Sequence, residues 1–419
     1  MTMENKKQGK LFYGWIVVLG CVLITMTMVP PIMALSNKYL IYVTEDLGIS
    51  RSAFTLANTI LQGLGIFISP MVAKNLAKGD MKKIMTISVI GYAACYASYS
   101  FATSPIHLYI SALLLGVFYL NATLIPVSMM VTNWFVQQRG LAMSLAMAGI
   151  GVGGTIFSPI LTFLLESYGW RNTYRIMAAI ILVVALPTVL FILKKKPEDM
   201  GLTALGANQA PAAGKKAAKQ SATLKLSVSE SKGQLFFWLM MIGMLANGII
   251  NSGALGQFPP AIQEAHGPAV QATIISIYSL VGIGGKLVLG WVNDKFGVTI
   301  SSIFGCIGFG LALVFMLLSA NNVALLYVMA ITFGFGNPIG TVSPPLVTAE
   351  VFGQDKYSEA YGIANSFSQV GLSLGSLMVA AMYDASGSYT TAWVVLLVFT
   401  VVTLVGWVGS AALSKKYKA

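Results

Sequence analysis

The sequence predicts an all-α membrane protein of twelve transmembrane helices, arranged as two pseudo-symmetric six-helix bundles. Three observations predict it. Of 419 residues, 56% are hydrophobic and only 10% are charged, against roughly 25% charged in a soluble chain. The mean hydropathy is +0.76. The apolar residues fall into twelve runs long enough to span a bilayer as helices, each roughly 20 residues or more. They are too long and too unbroken for barrel strands, which alternate over about 10 residues.

The first six runs lie at about 13–36, 53–76, 83–103, 107–134, 140–165 and 174–193. The second six lie at about 235–258, 269–293, 299–319, 323–349, 358–383 and 390–413. The basic start "MTMENKKQGK" precedes a full-length apolar run without a small-residue cleavage site, so run one is expected to stay as a membrane helix. Cys21, Cys95 and Cys306 each fall inside an apolar run and read as buried hydrophobes, with no disulfide or metal spacing. No metal or cofactor pattern is present.

The net charge of +12 would suit a nucleic-acid ligand if it were clustered, but it follows membrane topology instead. Lys6, Lys7 and Lys10 precede run one, and Lys74, Lys78, Lys82 and Lys83 flank the second connection. Arg139, Lys295 and Lys356 lie in the fourth, eighth and tenth connections, and Lys415, Lys416 and Lys418 end the chain. Eight more lysines lie between Lys194 and Lys232. Alternating spans put all of these on one side, which the positive-inside rule makes the cytoplasm. Both termini are expected there, in a cell (inner) membrane, with no nucleic-acid partner.

The domain organisation follows. Residues 1–193 form the first bundle, 194–234 a cytoplasmic linker and 235–419 the second bundle. The linker holds "GANQAPAAGKKAAKQSA", small, basic and coreless. The halves repeat: Ala142, Ser144, Gly149 and Gly153 in run five match Ala364, Ser366, Gly371 and Gly375 in run eleven at one offset of 222. Trp15 and Trp238 stand 223 apart. Parallel repeats of this kind occur in carriers that rock about a central site.

On these residues the chain resembles the major facilitator superfamily over essentially its whole length. "GWVNDKFG" after run eight fits the superfamily loop signature through Gly290, Asp294, Lys295 and Gly297, with Arg139 as the basic residue of the fourth connection. The matching stretch of the first half, "SPMVAKNLAKGDMKK", lacks an acid in the expected place. "YGWIVV" and "NWFVQQRGLAMSLAMAGIGVGG" look like the monocarboxylate-porter and oxalate:formate-antiporter branches. The resemblance implies a secondary carrier, not an enzyme; no serine–lysine dyad, HExxH or paired aspartates occur in the spans.

Lys286 is the one basic residue well inside a span, in "LVGIGGKLVLGW". An ammonium at the bilayer centre costs ~2.5–3.5 kcal/mol. Snorkelling would have to cover about 12 Å to the level of Asp294 at 1.5 Å per residue. An ion pair needs a buried acid, and Glu45, Glu166 and Glu350 all fall at helix ends. The remaining reading is an anion site. The resemblance implies the same, since the branch places a cation, usually arginine, in its eighth helix to bind the substrate carboxylate. Lysine supplies a point charge where arginine supplies a fork. The aspartate that often stands one turn earlier in monocarboxylate porters is Gly282 here. Substrate alone then neutralises the lysine, which favours anion exchange, or the lysine sheds its proton as the anion leaves, which couples transport to protons.

Further candidate ligands are Tyr119 and Asn121 in run four, Asn251 in run seven beside Asn247, Tyr278 in run eight, Asn337 in run ten and Asn365 in run eleven, near Ser368 and Gln369. Each is also a candidate interhelical hydrogen bond. Lys38 at the outer end of run one is either an anion attractant or a solvated loop lysine. "SYGWRNTYR" reads as an outer loop whose Trp170 and Tyr174 suit the interfacial aromatic belt. Pro338, Pro344 and Pro345 predict a broken run ten. The expected function is alternating-access transport of small organic anions, monocarboxylates foremost, as proton symport or anion exchange, by a monomer in the lipid bilayer. The alternative is export of drugs or amphiphiles.

Overall fold

The computed structural model describes residues 12–33, 35–49, 51–207, 224–319 and 322–418. Lys6, Lys7, Lys10 and the middle of the linker, 208–223, lie outside the described residues.

The described residues are mostly helical, with two isolated β-bridges and no longer strand among them. In the first half, α1 is Tyr13–Met28, α2 Arg51–Lys78, α3 Met81–Ser98 and α4 Pro105–Ala122, continued past a break at Thr123 by Leu124–Trp134. One long helix, Arg139–Pro187, contains the next two spans. Gly169 divides it, at φ 72° and ψ 166°, a conformation that side chains with a Cβ rarely adopt. Its limbs, 139–168 and 170–187, are α5 and α6. In the second half, α7 is Leu235–His266, α8 Pro268–Phe296, α9 Val298–Leu318, α10 Val323–Gly336, α11 Tyr357–Ser386 and α12 Thr390–Ser414. Eleven of the described helices are long and apolar enough to cross a membrane. The bend at Gly169 makes the longest of them two crossings, so the count is twelve and the protein is multi-pass.

Two expectations need correction. "SYGWRNTYR" is a one-residue bend rather than a loop, because Gly169 alone reverses the direction. Trp170 and Tyr174 do not face the interface; both are buried. Tyr174 stacks on Tyr39 with ring centroids 3.9 Å apart, and the Trp170 indole donates to Asp46, which also pairs with Arg171 at 2.8 Å.

Run ten is broken where its prolines predict. After α10 the chain passes through a 3-10 turn, Asn337–Gly340, and resumes as Ser343–Phe352. Pro338 brings no amide to the helical ladder, and Pro344 and Pro345 sit in the first turn of the second piece, where no amide partner is required.

The internal repeat reappears as equivalent contacts. Gly153 of α5 lies so close to α1 that an added Cβ would sit 2.0 Å from the Met26 carbonyl. Gly375 of α11 meets α7 in the same way, 2.3 Å from the Ile249 carbonyl. Gly153 and Gly375 are 222 apart, and Met26 and Ile249 are 223 apart. Small residues at such crossings let helices approach in lipid, where no hydrophobic effect drives them together.

The linker ends are docked. Leu205 pairs with Val136 and Gln137, and the Trp134 indole donates to the Lys194 carbonyl at 2.9 Å. At the other end Lys356 donates to the Leu224 and Leu226 carbonyls, and Lys418 pairs with Glu350 at 3.2 Å.

Candidate functional site

The helices of the two halves meet along two seams at the lysine-rich face, α5 against α8 and α2 against α11. On α8 the stripe Ile283, Lys286, Gly290 and Asp294 faces α5. Gly290 and Gly140 pack backbone to backbone: a Cβ on either would lie 2.4 Å from the other's carbonyl oxygen. Beyond Gly290, Asp294 crosses to the first turn of α5. Its Oδ1 accepts the Gly140 amide at 2.7 Å and its Oδ2 accepts the Leu141 amide at 2.8 Å. A carboxylate at a helix N-terminus satisfies orphan donors and opposes the helix dipole. Here the cap comes from the opposite half.

Lys286 lies two turns further into the membrane and is 9% exposed. Its Nζ donates to the Met147 carbonyl of α5 at 3.3 Å, its one hydrogen bond among the described residues. The ion pairs described are Lys83–Asp80, Arg171–Asp46 and Lys418–Glu350; none involves Lys286. The ammonium therefore neither reaches headgroups nor meets an acid. One turn further along, Ile283 touches Gly151. Past that contact, Thr155 and Pro159 on α5 and Ser276 and Ser279 on α8 are exposed. The seam is closed at the lysine-rich end and open beyond. Lys286 marks the inner edge of the open part.

On its other side α8 packs against α10. An added Cβ at Gly285 would sit 2.2 Å from the Gly334 carbonyl, just before the α10 break. The break therefore touches the residue next to Lys286.

The α2–α11 seam is built alike but without a cation. Gly362, which is 222 residues after Gly140, rests on Pro70 and Ala73, and Asn365 donates to Ser69 at 2.9 Å. Gln369, 222 after Met147, packs its amide into the space left by Gly65.

The other predicted ligands are scattered by this architecture. Asn365 belongs to the second seam. Asn251 donates to the Asn247 carbonyl at 2.9 Å and side chain at 3.1 Å, and fills the space over Gly340 at the α10 break. Tyr278 packs edge-on against Phe333 of α10 at 5.1 Å, on a different side of α8 from Lys286. Asn121 donates to its own helix at Val117, 2.8 Å away. Tyr119 is buried with its hydroxyl unpaired among the described residues. Asn337 is half-buried in the α10 break. None of these hydrogen-bonds Lys286 in this structure.

The loop residues have clear places. Gly297 joins α8 to α9 at φ 86°. Lys295 lies over the Trp291 ring at 4.8 Å. Arg139 opens α5 and donates through Nε to Phe135 at 3.0 Å. Lys38 is no free loop lysine: its Nζ bonds Thr162 at 2.8 Å and the Ser158 carbonyl at 3.3 Å, tying the end of run one to α5.

Sequence reasoning missed Ser69, Gly65 and the Met147 carbonyl. Nothing in the residue types flags a backbone oxygen, whereas the offset of 222 between Met147 and Gln369 would have paired the two seams.

Two halves clamped at one face and parted at the other form a carrier's architecture, and known proteins agree. The model of the Major Facilitator Superfamily matches residues 12–267 and 240–418. Monocarboxylate transporter 12 of Mus musculus is 24% identical over 404 residues, 91% of this chain and 82% of that protein. Monocarboxylate transporter 13 of Rattus norvegicus is 26% identical over 314 residues, 71% of this chain and 65% of that protein. The MFS-type transporter YhjX of Escherichia coli (strain K12) is 26% identical, covering 79% of this chain and 78% of that protein. In structure, the proton:xylose symporter XylE matches with a TM-score of 0.65 at 14% identity, over 94% of each chain. The fold, the repeat and the family model converge: the chain belongs to the Major Facilitator Superfamily and is a transporter, not an enzyme.

Proposed function

We propose that the protein carries small organic anions, monocarboxylates foremost, by alternating access between its two halves, 1–193 and 235–419. The observation that carries this reading is Lys286: a buried ammonium, without an acid partner among the described residues, held across the seam by one carbonyl. A neutral oxygen at 3.3 Å compensates an ammonium poorly. A carboxylate arriving through the open end of the seam replaces it with a charge-assisted bond, and the loaded lysine no longer ties α8 to α5. Relatives named as monocarboxylate transporters support the substrate class. With lysine-rich loops in the cytoplasm, the structure is outward-facing, both termini are inside and the membrane is the cell's own.

Gly282 stands one turn before Lys286 and Asp294 is taken up by the α5 amides. With no acid beside the lysine to recharge the site, the empty carrier keeps its latch and returns only when loaded, which makes exchange the favoured mode. Gly290, Asp294, Gly297 and Arg139 form the inner gate, and Tyr119, Asn337 and Asn251 approach the substrate when the halves move.

Counterflow in proteoliposomes tests this. Labelled lactate or oxalate should exchange against unlabelled anion. Lys286→Ala should lower the rate at least about ten-fold, equal to ~1.4 kcal/mol, while Lys286→Arg keeps measurable exchange. Unchanged counterflow in the alanine variant removes the lysine from the site.

A further inference from the structure

A cavity of about 420 Å³ opens at the lysine-rich face of the first half, remote from Lys286 and between the starts and ends of α3, α4 and α6. Lys82, Lys194, Lys195 and Lys196 stand around it. Its floor is apolar and buried: Met85, Met130, Val189 and Leu193. The two carboxylates at its rim are already committed to backbone amides. Asp80 caps α3 by accepting the Lys83 amide at 3.2 Å, a bond that holds its carboxyl below the usual carboxylate range. Asp199 accepts the Lys196 amide at 3.3 Å.

The lysines are less well matched. Lys195 donates to the Ala77 carbonyl and, at 3.2 Å, to Gly79, closing the end of α2. Partial burial lowers its pKa; the Asp199 charge opposes that shift, Lys196 adds to it and Asp80 opposes it again. The ammonium groups of Lys82 and Lys194 make no hydrogen bond or ion pair among the described residues. The cavity thus gathers positive charge over an apolar floor, at the level where helices leave a bilayer. The adjoining outer surfaces of α3 and of the wider helical turn that follows α6, Thr188–Ile192, display Ile87 and Phe191, 64% and 74% exposed, where acyl chains lie in a membrane.

We propose that this cavity binds the phosphate headgroup of an anionic phospholipid from the lysine-rich leaflet, bridging α3 to the start of the linker. Lysines near an anionic leaflet act as point charges on phosphate. The methionines and leucine below fit the glycerol backbone and upper chain, which a free phosphate would leave empty. A bound lipid would pin 194–199 to the α2–α3 turn and stiffen the linker's attachment to the first half.

The full chain, purified in detergent, is titrated with phosphatidylglycerol and followed by melting temperature and by bound lipid in native mass spectrometry. Phosphatidylglycerol should raise the melting temperature by several degrees and stay bound; phosphatidylcholine should do neither. A K82Q/K194Q/K196Q variant should lose at least ten-fold in bound anionic lipid, and K82R/K194R/K196R should keep it. Glycerol phosphate in place of lipid should give no shift; a shift equal to that of the lipid would make this a soluble-anion site and overturn the proposal. So would equal lipid binding by the glutamine variant, or loss in the arginine variant. Should the glutamine variant fail to fold, added salt must strip the lipid from the wild type; binding indifferent to salt has the same overturning force.

Discussion

Asp294 and Lys286 share a helix face but do different work. Asp294 is the stronger latch, since two backbone amides at 2.7 and 2.8 Å complete its carboxylate. A hydrogen bond to a charged group contributes about 1.5–3 kcal/mol. Asp294→Ala removes two of them and should therefore destabilise the closed inner seam by ~3–6 kcal/mol. A cysteine placed at Ser144, buried against Gly290, should then react faster with a maleimide than the same cysteine in an otherwise native chain. An unchanged labelling rate would show that the gate does not depend on the cap. At this scale the sequence is half legible. An acid at the end of run eight and a lysine within it stand out because charges are rare in spans. Their partners do not, because both are main-chain atoms of another helix. The scattering of Tyr278 is a matter of helix phase: at 3.6 residues per turn it stands about 80° to one side of Lys286, whereas Gly290, Ile283 and Asp294 stand about 40–80° to the other side, so its ring turns away from the seam and onto Phe333.

Among the elements, α5 and α11 are the most constrained. Each carries a face of small residues against a partner in its own half and another against the opposite half. Glycine spacing is visible in the sequence, but which glycine meets which backbone is not. Gly153 and Gly154 show the difference: a Cβ at Gly153 collides with Met26, whereas one at Gly154 meets nothing within 4 Å. Gly153→Val should cost about 1–3 kcal/mol through overpacking and lower the melting temperature. Gly154→Ala should leave it within experimental scatter. If both variants melt alike, the α1–α5 crossing is looser than drawn. The twelve crossings were readable from hydropathy alone, because every backbone group in lipid must be satisfied within its own helix. The bend at Gly169 was not, since a loop and a one-residue reversal share the same residue types.

For the whole molecule, the two seams define which face is shut. Contacts between halves run from Asp294 to Ile283 on one side and from Gly362 to Gln369 on the other. A Ser69→Cys/Asn365→Cys pair, replacing side chains 2.9 Å apart, should cross-link under mild oxidation and stop transport, and a reductant should restore it. Continued flux in the cross-linked protein would mean that the halves need not part there. The two-fold plan of the molecule was legible from offsets of 222 and 223 residues. Its inequality was not, because it depends on what fills equivalent places.

That inequality has an electrical consequence. One seam carries a formal charge at depth, the other an uncharged amide in a glycine notch. A bare ammonium dragged through the field would feel about 2.3 kcal/mol per elementary charge for every 100 mV it crosses. Once a monovalent anion rides with it, the moving unit is neutral. One-for-one exchange of monovalent substrates should then run at the same speed whether vesicles are polarised by a potassium gradient and valinomycin or left at zero voltage, while divalent cargo should respond to the applied potential.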